Sequence, residues 1–126
     1  MFIMKIFLSL ALLTYAQPIK PAAPEIISIS SNFPVKENWV EILKGTKNIT
    51  FNVKANNTET VLFWLIPTGT GTWNQRKLIG YDLITDEQDN TFILTWNIDR
   101  SNLHDHLYVQ ALGEGIENET LNLHME

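Results

Sequence analysis

Apolar residues recur with period two along most of this chain, in short runs that Gly, Pro and Asn cut off. The run Val61-Leu-Phe-Trp-Leu-Ile66 is ended by Pro67 and Gly69. A run this short, with no 3.6-residue continuation, predicts a central β-strand. Lys77-Leu-Ile-Gly-Tyr81 follows it as the second arm of a hairpin, and a strand over 91–98 comes next with Phe92, Leu94, Trp96 and Ile98 on one face. Upstream, Ile49, Phe51 and Val53 alternate with Thr50, Asn52 and Lys54, which predicts a half-buried strand. Leu107, Val109 and Ala111 alternate in the same way, and Leu121 and Leu123 close the chain in a last strand. Residues 25–31 predict a first strand, in which strict alternation puts Ile27 and Ile29 on one face. Trp39–Leu43 predicts a short edge strand before the Lys44-Gly45 turn. About seven short strands with turns roughly every 8–15 residues predict an all-β antiparallel sandwich. No amphipathic helix interrupts them, which argues against a parallel α/β sheet.

The first residues break this pattern. Lys5 precedes the apolar stretch Ile6–Leu13, and Thr14-Tyr-Ala16 supplies small residues where a signal peptidase reads. Residues 1–16 are therefore expected to be a signal peptide cleaved after Ala16. A membrane anchor needs about 20 apolar residues, and Gln17-Pro18 breaks this stretch early. Residues 17–24, with three prolines, read as a Pro-rich linker, leaving 25–126 as the folded domain. The mature protein is expected to be secreted or associated with the cell envelope, with no stable membrane insertion after cleavage.

Nine Lys and Arg stand against 14 Asp and Glu, for a net charge of −5. That sign excludes nucleic acid and anionic membrane surfaces as expected partners, since both need clustered cations. The chain has no cysteine, so disulfides and thiolate chemistry are excluded.

Four segments carry a resemblance: Val61-Leu-Phe-Trp-Leu65, Leu78-Ile-Gly80, Phe92-Ile-Leu-Thr-Trp96 and His106-Leu-Tyr-Val-Gln-Ala111. In order and spacing, the span 25–126 resembles the bacterial immunoglobulin-like modules of secreted and cell-surface proteins. The resemblance implies an immunoglobulin-like β-sandwich that serves as an adhesive or accessory module. The loop 67–76 is longer than that family's tight hairpin, and no Cys pair is present.

Chemistry-bearing candidates are few. His104-Asp-His106 puts two imidazoles on one face of a strand, as a metal site needs. The plainer reading is a solvated strand end, because a third ligand is not evident apart from His124, distant in sequence. Asp86-Glu-Gln-Asp89-Asn90 gathers oxygen donors of the kind calcium takes, but lacks the Gly and closing Glu of an EF-hand loop. It reads more simply as a polar turn, and no cofactor is expected. Asn48, Asn56 and Asn118 stand in N-glycosylation acceptor patterns. No G-x-S-x-G elbow or phosphate loop occurs.

One surface follows from the resemblance. If Val61, Phe63 and Leu65 face the core, then Leu62, Trp64 and Ile66 line the outer face with Tyr108. Such a row marks a contact site unless the loop 67–76 folds over it with Trp73 as cover. The sequence thus leads to an expectation of a non-enzymatic binding or adhesion module. Its contact residues would be Leu62, Trp64, Ile66, Trp73 and Tyr108, and its partner an extracellular protein, a cell-envelope component or a second copy. The alternatives are a small metal-assisted hydrolase or inhibitor using the acidic loop and His104/His106, and a self-associating structural module.

Overall fold

Alternating apolar positions become strands wherever one face can be buried, and the described residues form nine strands, of which only the two-residue strand Val35–Lys36 has every side chain exposed. They are β1 (Glu25–Ser31), β2 (Val35–Lys36), β3 (Trp39–Ile42), β4 (Asn48–Asn56), β5 (Thr58–Pro67), β6 (Lys77–Leu83), β7 (Thr91–Asn97), β8 (Leu103–Gly113) and β9 (Ile116–Met125). A 3₁₀ turn, Trp73–Gln75, precedes β6. The computed structural model describes residues 22–69, 73–86 and 89–126. The expected signal peptide and residues 17–21 of the linker lie outside the described residues. No helix among the described residues is long and apolar enough to cross a membrane.

The strands form two sheets, β1-β4-β7 and β2-β3-β9-β8-β5-β6. Their inner faces meet in a single core holding Ile49, Phe51 and Val53 of β4, Phe63 of β5, Phe92 of β7 and Leu107 and Val109 of β8. All seven are fully buried. Phe51 and Phe63 face one another across the sandwich with ring centroids 6.3 Å apart. Gly80 of β6 pairs with Phe63 on that inner side. A Cβ at Gly80 would stand 2.5 Å from Leu94 Cδ1, so any larger residue there would have to push the Leu94 side chain aside.

The all-β sandwich agrees with the sequence, and three details correct it. The sheets are not purely antiparallel, because β3 runs parallel to β9. Nor is β3 an edge: it lies between β2 and β9. Period-two patterning shows that a strand has a buried face but not which strand lies beside it. In β1 the register shifts between Ile26 and Ser28. That bulge turns Ile27 outward and brings Ile26 and Ile29 against the core. One extra residue in a strand inverts the alternation beyond it, so Ile27 and Ile29 do not share a face.

Candidate functional site

Along β3, β9 and β8 every second side chain is buried: Val40 and Ile42, Leu123 and Met125, then Leu103, Asp105 and Leu107. Alternation sends the intervening residues to the outer face. Across the three strands, Glu41, His124 and His104 form one row, and Trp39, Asn122 and His106 the next. All three histidines of the chain therefore gather on one face.

Trp39 is the centre of the cluster. Its indole stacks on His104 at 4.6 Å between centroids and 13° between planes. It lies 6.4 Å and 27° from His106, and meets the His124 ring edge-on at 6.5 Å. His104 and His124, direct partners across β8 and β9, are perpendicular with centroids 5.8 Å apart.

Hydrogen bonds fix which ring nitrogen is free. His124 Nδ1 lies 3.0 Å from Glu41 Oε2; a carboxylate only accepts, so Nδ1–H donates and Nε2 is left open. His106 Nδ1 lies 2.6 Å from Asn122 Oδ1. Asn122 Nδ2 donates to the Asn38 carbonyl at 3.1 Å, so its oxygen faces His106 and the ring again donates from Nδ1.

The strand end carrying His104 is anchored from inside. Asp105 is buried; its Oδ1 accepts the His104 backbone N–H at 3.1 Å and its Oδ2 accepts from Arg100 Nη1 at 3.3 Å. Arg100 Nε also donates to Asp99, which accepts from Lys77 Nζ at 2.8 Å. The Lys77 hydrogen bond, then that of Arg100, holds the Asp99 carboxyl below its usual range. On the outside, two shallow depressions flank His124. One, of about 290 Å³, is lined by Glu41, Lys44 and Glu126. The other, of about 270 Å³, is lined by His104, Asn102 and Glu126.

The remaining candidates lie elsewhere. Leu62, Trp64 and Tyr108 are half-buried on the outer face, and Ile66 is buried. Trp73 packs on Trp64 at 5.7 Å and on Tyr108 at 5.0 Å, and the Arg76 guanidinium lies over the indoles of Trp64 and Trp73 at 4.8 and 4.1 Å. Trp64 Nε1–H donates to Gln110 Oε1 at 2.8 Å. Trp73 and Arg76, both within the loop 67–76, thus cover Trp64. An open row through Ile66 does not form, because Ile66 is buried. Asp86 and Asp89 belong to the loop after β6, with residues 87 and 88 outside the described residues. Ile84 donates to Glu59 at one end of β5, whereas Thr68 meets His104 at the other, so this loop and the histidines occupy opposite ends. The paired role of acidic loop and histidines is thereby excluded.

No family model matches this chain, and no curated protein does. Its fold is similar to that of solved structures. The superoxide reductase (neelaredoxin) from Ignicoccus hospitalis superposes with a TM-score of 0.55 at 9% identity, covering 83% of this chain and 81% of that one. A single-residue variant of the same reductase gives 0.54 at 10% identity, covering 82% and 79%. At this identity the likeness is one of fold. It stands against the expectation of a non-catalytic adhesion or accessory module, and of no enzymatic activity, in that the solved structures sharing this fold are those of a reductase. The sequence pattern pointed elsewhere because core positions report packing and not chemistry.

Reduction of superoxide is redox chemistry, which protein thiolates or bound metal ions support. This chain has no cysteine. Among the described residues no three His, Asp or Glu side chains converge where a metal ion could be held. A centre enclosed by three or more protein donors does not fit these residues.

Proposed function

We propose that this protein is a metal-dependent enzyme whose ion, a divalent late-transition metal, is held by only two protein donors, the imidazoles of His104 and His124. The observation that carries the reading is their direct cross-strand pairing with centroids 5.8 Å apart. Two imidazoles sharing one ion at about 2.0–2.1 Å from each nitrogen have centroids roughly 5–6 Å apart. Glu41 on His124 Nδ1 is the carboxylate–imidazole arrangement that orients a ligating ring and raises its basicity. Imidazole donors suit copper, nickel and zinc, copper(II) binding most tightly. The bound ion supplies open coordination positions, and the depression beside His104 and His124 has room for water and a small substrate.

The likeness to superoxide reductases makes superoxide the first substrate to assay. Residues 1–16 support an exported protein. We also infer an immunoglobulin-like strand layout, supported by a three-stranded sheet packed on a larger one in which β3 runs beside β9.

The test is calorimetric titration of the full chain with copper(II) and zinc(II), followed by superoxide decay with the loaded protein. One ion per chain is expected. His104→Gln and His124→Gln should each weaken binding by more than about a hundredfold, beyond what loss of a supporting partner does, and should abolish any superoxide removal above that of the free ion. Binding that both variants retain would overturn the reading.

A further inference from the structure

We propose that the outer edge of β6 is a docking site for an extended peptide segment in which apolar residues alternate with lysine or arginine. The surface is separate from the histidines, which lie on β8 and β9 with β5 between them and β6. β6 ends the larger sheet, and among the described residues β5 is its only neighbour there. Its far side therefore presents main-chain N–H and C=O groups, the template onto which a further strand adds. The other edges are short or capped. β2 has two residues. In β1 the Ile26 N–H donates to Glu117 Oε2 at 3.1 Å, and in β7 the Ile93 N–H donates to Asp82 Oδ2 at 2.8 Å. Each of these carboxylates reaches across from the larger sheet and takes up an amide of the smaller one.

Beyond the register shift opposite Phe63 and Trp64, β6 pairs regularly over 80–83. Tyr81 and Leu83 pair with Leu62 and Thr60 on the outer face and are 60% and 53% exposed. Ile84, also exposed, prolongs the edge by donating its N–H to the Glu59 carbonyl at 2.8 Å. An added strand would lay its apolar side chains beside Tyr81 and Leu83, and the alternate ones beside Asp82. Charge decides what those alternate side chains are. From Tyr81 to Asp89 the chain carries no Lys or Arg, but it does carry Asp82, Asp86 and Asp89, and Glu59 sits beside Ile84. A cationic segment is attracted there and an anionic one repelled. The same charge disfavours a second copy of this chain. The two-fold register that would pair all of 80–84 puts Asp82 opposite Asp82, and like charges directly opposed destabilise a strand pair.

The probe is a short end-blocked peptide of alternating valine and lysine, titrated into the full chain at low salt while amide hydrogen exchange is followed residue by residue. Exchange of the β6 amides should slow on binding, and added salt should weaken the complex. The same peptide with glutamate in place of lysine should bind about tenfold or more weakly. Leu83→Lys should abolish the protection of β6. Asp82→Asn keeps a side-chain acceptor for the Ile93 N–H and should narrow the preference for lysine over glutamate. Tyr81→Ser serves the comparison should Leu83→Lys not fold. No binding, equal binding of the two peptides, or protection confined to other strands overturns the proposal. Sedimentation of the chain alone tests the other occupant. A monomer is expected, and a dimer with protected β6 amides that Leu83→Lys dissociates would overturn the choice of a cationic partner.

Discussion

Glu41→Gln tests the site without removing a ligand. The change keeps the shape of the side chain and deletes the charge that accepts the His124 Nδ1–H at 3.0 Å. Loss of such a supporting carboxylate costs about 10–100-fold in metal affinity. Glu41 and His124 are 42% and 32% exposed, and water screens the interaction, so the lower end applies: about tenfold, or about 1.4 kcal/mol. The fold should barely notice, because a half-exposed ion pair contributes at most about 1 kcal/mol to stability. The assay is copper(II) competition titration beside thermal melts of metal-free protein. Affinity should fall about tenfold while the melting temperature stays within a few degrees. Affinity unchanged within about twofold would refute the orienting role of Glu41. A melting loss as large as the affinity loss would show that the residue acts through the fold instead.

Three further outcomes follow from the geometry. Phe63→Ala removes a fully buried ring that faces Phe51 across the sandwich; urea denaturation should show a loss of about 3–5 kcal/mol, and a loss under about 1 kcal/mol would contradict the shared core. Trp73→Ala uncovers Trp64, so iodide should quench more of the remaining tryptophan emission; unchanged quenching would mean that the indole does not cover Trp64. Asp99 has its carboxyl held down by Lys77 and Arg100, so its contribution is present above the ordinary carboxylate pKa of about 3.9 and is lost as pH falls through the lower folded value. Asp99→Asn should therefore be less stable than wild type near neutral pH, with the gap closing under strong acid; a gap that widens on acidification would refute the sign.

The strands themselves were legible because alternation is a property of neighbouring residues. Ile49, Phe51 and Val53, or Leu107, Val109 and Ala111, declare one buried face with no knowledge of what covers it. Alternation fails where a strand carries an extra residue, as at Ile27, because a bulge leaves no mark in a run of isoleucine and serine. The candidate site was legible only in part. His104 and His106 announced a shared face, but His124, Glu41 and Trp39 come from two other strands, and pairing register is not written locally.

The sequence by itself determined the class of fold, the positions of most core residues and the exclusion of thiolate chemistry, all of which depend on composition and short-range periodicity. Only the tertiary structure decided that β3 runs parallel to β9, with β8 on the far side of β9. That arrangement carries Glu41 to His124 across 83 residues of chain and sets Trp39 against every histidine. The physical reason is that backbone hydrogen bonds between strands are the same for any sequence, so which strands become neighbours is chosen by burial of the whole core at once.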